Sequence, residues 1–114
     1  MDFRFRFQFF NAKFGQCFLD SGQWKGTTIV SKDWIKEMTA LRIQDIYGYQ
    51  FGYLWWKDVS REMTFMNGHG GQYVCILPSK NLIVVMTAGV NTPGEYQFGK
   101  DGFIWVDRIS EIAN

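Results

Sequence analysis

The sequence has few of the residues on which common kinds of site are built. Its 114 residues include one histidine, His69, and two cysteines, Cys17 and Cys75. One histidine and two distant cysteines cannot make a recognisable zinc set, so neither a metal nor another cofactor is expected. Each cysteine lies in an apolar pattern, which favours two buried thiols. A Cys17–Cys75 disulfide is the alternative.

Clustered charge and long apolar runs are also missing. The formal net charge is +1, and the twelve lysines and arginines are scattered along the chain. This distribution argues against nucleic acid or an anionic membrane as a partner. No apolar run approaches the roughly 18 residues of a membrane-spanning helix. Arginines interrupt the phenylalanines of Met1–Phe10, unlike the apolar core of a secretory signal.

The composition is that of one packed domain, because 46% of the residues are hydrophobic. Phe10–Ser21 has apolar residues at helical spacing, and Gly22 is expected to end that helix. Ser31 predicts the N-cap of a second helix that fades near Leu41. A terminal helix is expected over residues 103–114, with an apolar stripe of Trp105, Ile109 and Ile112. Met1–Phe10 alternates phenylalanine with polar residues, as a strand does.

The remaining apolar segments predict strands. The aromatic run Tyr49–Lys57 and the segment Met63–Asn67 each indicate one strand. Two further segments, Tyr73–Leu77 and Leu82–Thr87, indicate a hairpin around a turn with Pro78. Residues 42–48 and 89–102 read as loops. The predicted class is α+β, an antiparallel three-stranded meander with flanking helices. Leu82–Met86 is apolar on both faces and predicts a central strand covered on both sides.

The segment Gly68–Gln72 is the one place that looks like a site. It contains His69 and three glycines, and it leads directly into a predicted strand. The glycines leave backbone N–H groups accessible. A titratable side chain is therefore expected beside open backbone at the start of a strand.

Several segments, taken together, resemble a known family in their order and spacing. The segments are Ala12–Gly26, Ile29–Trp34, Tyr47–Tyr49 with Trp55 and Trp56, Gly68–Tyr73, and Pro78. They resemble the C-terminal portion of the β-lactamase-related serine hydrolases, which include class C β-lactamases, penicillin-binding carboxypeptidases and related esterases. The resemblance covers residues 12–114 as the C-terminal part of such a domain, and residues 1–11 match poorly. It implies a partial β-lactamase/transpeptidase-like fold.

The resemblance implies acyl transfer through a serine ester, on β-lactam, peptide or ester substrates. A Ser-x-x-Lys pair, a Tyr-x-Asn element and a Lys-Thr-Gly element form such sites. By this resemblance His69 stands at the lysine of the third element and Gly71 at its glycine. The backbone N–H of Gln72 would be an oxyanion donor. Gly70 and Gly71 would leave room for the substrate along the strand.

Two of the three elements are absent from the sequence. No serine is followed by lysine three residues later, and no Tyr-x-Asn occurs. Ser79-Lys80-Asn81 fits a Ser-x-Asn pattern, but it follows the third element, so it is interpreted as a chance match. We expect the nucleophile and its base to lie N-terminal to Met1, and the chain to be inactive alone.

Three alternatives to an enzyme fragment stay open. The chain is a noncatalytic binding module, a subunit of a split enzyme, or an incomplete gene product without function. For a split enzyme, the family's sheet implies that a complementing N-terminal chain pairs with the strand at 82–87. An unfilled apolar edge there predicts self-association.

Overall fold

The described part of the chain is a mixed α/β domain with three helices and two antiparallel sheets. The computed structural model describes residues 3–44, 50–53, 55–68, 71–87 and 98–113, with side chains from residue 10 in the first helix and residue 103 in the last. The helices are α1 Phe3–Leu19, α2 Lys32–Thr39 and α3 Phe98–Ile112. The strands are β1 Gln23–Trp24, β2 Thr27–Thr28, β3 Ile43–Gln44, β4 Gln50–Phe51, β5 Trp56–Asp58, β6 Met63–Gly68, β7 Gln72–Leu77 and β8 Leu82–Met86.

The larger sheet is an antiparallel meander in which strands β3 to β8 follow one another in chain order. The mixed helix-and-sheet class is thereby confirmed, but the three-stranded form is not, since six strands are described. Two local features account for the difference. Ile43 in the predicted loop pairs with Phe51, and the predicted aromatic strand is split where the Gly52 N–H donates to the Trp55 carbonyl (2.8 Å).

Helix α1 begins within the segment predicted to be a strand, so that prediction is wrong. The phenylalanine–polar alternation of Met1–Phe10 competes with a helix that already runs through Phe10–Leu19, and extending a formed helix costs far less than starting a new element. The predicted end is confirmed. Ser21 takes the left-handed conformation with φ +58°, and Gly22 follows with φ +88°. The Gly22 N–H donates to the Cys17 carbonyl (2.8 Å), which is the hydrogen bond of a Schellman helix end.

The N-cap predicted for α2 is confirmed. The Ser31 hydroxyl accepts a hydrogen bond from the Trp34 N–H at 3.1 Å, which satisfies one of the free donors of the first turn. Before it, β1 and β2 pair as a two-stranded ribbon. Lys25 and Gly26 form the turn of this ribbon with φ +48° and +81°.

The sheet has a separate core on each face. On the α1 face, Phe18 packs on Trp55 with ring centroids 4.3 Å apart, and Ile76 completes the cluster. On the α3 face, Phe103 packs edge-on against Phe65 at 5.1 Å. The core of that face consists of Met63, Phe65, Cys75, Leu77, Val84, Phe103 and Val106. Successive residues of β7 alternate between the two cores, as the pleat requires.

Helix α3 packs through a different stripe from the one predicted. Phe103, Val106 and Ser110 are buried against the sheet, whereas Trp105 is 61% exposed and Ile112 84% exposed. Helical spacing of three and four residues fits both the predicted stripe and the buried one. The buried stripe faces the sheet because Phe103 packs against the rings of Phe65 and Tyr73. The helix begins at Phe98, so residues 98–102 are helical and not loop. The rest of that predicted loop beyond Thr87 lies outside the described residues.

Strand β8 was predicted to be central, but it lies at the edge of the described sheet. Its faces are nevertheless covered as predicted. A Cβ on Gly15 of α1 would lie 3.0 Å from Ile83 Cγ2, and Val84 belongs to the core beneath α3. Helix packing on both faces therefore explains the unbroken apolar run of β8, and a central position in the sheet is not required.

Arg61 links α3 to the β5–β6 turn through two ion pairs. Its guanidinium donates to the Asp58 carboxylate at 2.7 Å and to the Asp107 carboxylate at 2.9 Å, and it lies 5.3 Å from the Phe103 ring centroid. Burial alone would raise the pKa of Asp58, but hydrogen bonds from Ser60 and Arg61 outweigh burial and lower it. The stabilisation from ionised Asp58 is therefore present above its ordinary pKa of 3.8 and is lost as the pH falls below that value.

We expect Arg61→Ala to lower the free energy of unfolding by about 2–3 kcal/mol, because it leaves the carboxylate of Asp58, which is 4% exposed, without its cation. Urea denaturation measures the loss. Arg108→Ala is the matched control, since Arg108 lies 3.8 Å from Glu111 in an exposed pair and should change stability by less than about 0.5 kcal/mol. Equal losses in the two variants would contradict the role of Arg61.

Candidate functional site

The candidate site lies at the β6–β7 hairpin. His69 and Gly70 lie outside the described residues, so their predicted roles stay predictions. Gly71 and Gln72 are described. Gly68 pairs with Gln72 to close the hairpin, and Gly71 enters β7 with φ +87°. This conformation is strained for a residue with a side chain, so the turn requires glycine at position 71.

Gln72 is the first residue of β7, and its side chain is exposed. The pairing of β7 with β8 begins one residue later, at Tyr73 and Met86. The Gln72 side chain folds back over Gly68, where an added Cβ would lie 2.9 Å from Gln72 Oε1. The predicted oxyanion donor, the backbone N–H of Gln72, therefore lies at the end of β7, before the pairing with β8 begins.

A cleft of about 240 Å³ lies beside this hairpin, between α1 and the ends of β6, β7 and β8. Asn11 contributes from α1, and Thr87 follows the last residue of β8. The lining is Asn11, Met66, Asn67, Gly68, Gln72, Tyr73, Val74, Met86 and Thr87. Polar groups and apolar side chains are both present, and none of these nine residues carries a formal charge at neutral pH.

Three carboxamides in the cleft lining have no hydrogen-bond partner among the described side chains. Within the described residues, the side chains of Asn11, Asn67 and Gln72 make no hydrogen bond. Each carboxamide offers both donors and an acceptor. Each of these carboxamides can therefore hydrogen-bond an added polar group without first breaking a bond to another described side chain.

Sequence reasoning missed Asn11, Met66 and Asn67 as parts of this surface. Asn67 directly precedes Gly68 in the sequence, which was the available signal. Asn11 is brought to the hairpin only by the packing of α1 across the sheet, and no local pattern shows that contact.

Cys75 does not have the surroundings of a nucleophile. Both thiols are free, as predicted. Cys75 is buried as predicted, whereas Cys17 is only half-buried. Burial raises the pKa of Cys75 to about 12, against a small lowering by Arg61. The thiol is therefore protonated at neutral pH and unreactive.

The described residues contain neither a metal-binding group nor a membrane-spanning helix. No three histidine, cysteine, aspartate or glutamate side chains there come together in a group able to hold a metal ion. Among the same residues, no helix has the length and apolar character needed to span a bilayer.

Comparison with known proteins gives a likeness in fold to solved structures. No family model matches the chain, and no curated protein matches it. A solved structure named “Putative 6-aminohexanoate-dimer hydrolase from Bacillus anthracis” superposes with a TM-score of 0.72 over 90% of this chain, at 19% identity. The likeness shows that this chain has part of a β-lactamase/transpeptidase-like fold. This chain spans 28% of the length of that neighbour.

We expect a thiol-specific reagent to modify Cys17 in the folded protein and to leave Cys75 unmodified for as long as the fold persists. The physical reason is that Cys75 is 0% exposed and protonated. Mass spectrometry of peptides after labelling at pH 7.5 measures each site, and labelling in urea is the control in which both must react. Rapid modification of Cys75 in the native protein would show that its strand is not packed as described.

Proposed function

We propose that this chain forms one wall of the acyl-transfer site of a β-lactamase-related serine hydrolase. The observation that carries the proposal is the glycine-entered hairpin at Gly71 and Gln72, on a domain with part of a hydrolase fold. A reaction at this wall would break an amide or ester bond through a serine ester.

Each residue at the wall has a proposed role. The Gln72 N–H is one of two oxyanion-hole donors, and such a donor contributes roughly 3 kcal/mol to stabilising the transition state. His69 binds a substrate carboxylate or assists proton transfer. Gly70 and Gly71 keep the strand end clear of side chains, so that a substrate can lie along it.

The chain does not contain the bond-making groups of this chemistry. The residues three positions after its five serines are Trp24, Trp34, Met63, Leu82 and Ala113. A serine without an adjacent base is a weak nucleophile. The 114 residues alone are therefore proposed to be inactive.

We expect the isolated chain to hydrolyse neither a nitrophenyl ester nor a chromogenic cephalosporin above the buffer rate, because it lacks Ser-x-x-Lys. Product absorbance over several hours measures the rate. Turnover that is lost in His69→Ala would contradict the proposal, since it would require a nucleophile within these residues.

The coding DNA upstream of the Met1 codon allows a second test, in which activity is expected to appear. An in-frame segment with Ser-x-x-Lys followed by Tyr-x-Asn, joined to this chain, should restore hydrolysis that is sensitive to His69→Ala. An upstream region without these motifs, on the same or a separate frame, would favour the noncatalytic binding module.

We propose a second candidate, a subunit of a split enzyme, because of the edge position of β8. Leu82–Met86 is an apolar five-residue strand, and within the described sheet only β7 pairs with it. An unpaired strand edge is a template for another strand. A complementing N-terminal chain would add its strand here, and without that chain the edge would pair with a second copy.

We expect the chain alone to self-associate at micromolar concentration and Leu82→Lys to reduce this association, since a charge on an edge strand disfavours pairing. Light scattering coupled to size exclusion measures the mass, and circular dichroism checks that the variant is folded. Val59→Lys, at a site that is 59% exposed and away from the edge, should associate as the parent does. A wild-type chain that stays monomeric would contradict the proposal.

A further inference from the structure

We propose that the exposed flank of α3 docks on α3 of a second copy of this chain, above a sheet that the two copies share through β8. The flank consists of Trp105, Ile109 and Ile112, which are 61%, 37% and 84% exposed. This inference rests on the second function proposed above, the pairing of the β8 edge with another strand. It adds the helix as the part that determines the geometry of the pair.

The helical phase of α3 places this flank on the β8 side of the helix. Asp107 lies on the other side, because its carboxylate accepts a hydrogen bond from Arg61 of the β5–β6 turn at 2.9 Å. At 3.6 residues per turn, Trp105 and Ile109 lie across the buried stripe from Asp107. The exposed helix flank and the edge of β8 that no described strand pairs with are therefore neighbours.

Strand β8 is complementary to itself. A two-fold axis through Val84 would pair every residue of Leu82–Met86 with a second β8 in antiparallel orientation. The strand contains no charged residue, so this pairing sets no like charges opposite each other. Residues directly opposite share one face of the sheet, and Val84 belongs to the core beneath α3. The α3 helices of both copies therefore lie on the same side of the joined sheet.

The spacing of the two helices fits contact through a large side chain. Helix α3 is centred over β7, because the core that it shares reaches from Phe65 of β6 to Val84 of β8. Pairing at β8 separates the two β7 strands by three strand spacings, about 14 Å in all. A helix with its side chains is about 10–12 Å across, so a gap of roughly 2–4 Å remains. An outward-pointing indole such as that of Trp105 fills this gap.

Neither surface is large enough alone for a stable dimer. Specific interfaces bury at least about 600 Å² on each partner. A fully buried tryptophan contributes only about 150–250 Å² of this area, and each isoleucine contributes less. The β8 edge adds a row of backbone hydrogen bonds beside the helix flank. A second copy offers both parts at the required separation, since it has the same strand and the same helix.

The opposite edge of the described sheet is less suited to pairing. Strand β3 has two residues, Ile43 and Gln44, and Arg42 beside it forms an ion pair with Glu37. Short strands and nearby charges protect sheet edges from other strands. Strand β3 is therefore an internal control for the edge at β8.

The test compares two neighbouring residues of α3 that lie on different flanks. Trp105→Lys should raise the dissociation constant of the dimer at least about tenfold, because tryptophan is among the residues that contribute most to interfaces. Ile104→Lys is the matched control, since Ile104 is 56% exposed and lies on the Asp107 side of the helix. It should leave the dissociation constant unchanged. Sedimentation equilibrium measures the association, and circular dichroism checks that both variants are folded.

Amide hydrogen exchange of the unsubstituted chain is a second measurement, which stands even if Trp105→Lys does not fold. Raising the protein concentration through the dissociation constant should protect the backbone N–H groups of β8 that point away from β7. The ¹⁵N signal of the Trp105 indole should shift over the same range, while β3 stays unchanged. Equal protection at β3 and β8 would indicate nonspecific aggregation and overturn the inference.

Three further results would also overturn it. Association that is lost in Leu82→Lys but kept in Trp105→Lys would show that β8 pairs without the helix flank, and the edge proposal alone would stand. A monomeric chain would contradict both. A chain that binds a separately expressed upstream segment in preference to itself would make that segment the occupant. None of these results changes the upstream Ser-x-x-Lys test, so failure of the hydrolase proposal is measured separately.

Discussion

Burial of β7 on both faces is the constraint on which the rest of the structure depends. Cys75 and Leu77 face α3, while Val74 and Ile76 face α1, and all four side chains are buried. Each helix therefore needs an apolar stripe where it packs on β7. The neighbouring strands must also keep their register with β7, because a shift by one residue would exchange the side chains of the two faces. The same arrangement fixes where β7 begins, so the glycine turn before it is held in place by two cores and not by contacts of its own.

Much of this arrangement could be predicted from the sequence, because it depends on local signals. Gly22, Ser31 and the turn at Pro78 each act through backbone chemistry within a few residues, and each prediction is confirmed. The β6–β8 strands followed from their apolar runs. Errors arose where one pattern fits two structures. The start of α1 alternates as a strand does, and α3 has two stripes of helical spacing.

The candidate site was only partly predictable for the same reason. Its hairpin has a sequence signature in the glycines around His69, whereas the cleft depends on α1 crossing the sheet to bring Asn11 near Gly68. Contacts between distant segments leave no local trace. A single residue such as Arg61, which links the β5–β6 turn to α3, likewise looks like any surface arginine until its two carboxylates are seen together.

The place of α3 in the chain has a consequence for how the protein is made. Phe103 and Val106 complete the core beneath β6 to β8, yet they are synthesised after all three strands. At about 5–20 residues per second, the three strands exist for seconds before their covering helix does. One face of the sheet therefore stays uncovered until α3 has been synthesised, and apolar surface exposed during that interval is prone to misassembly.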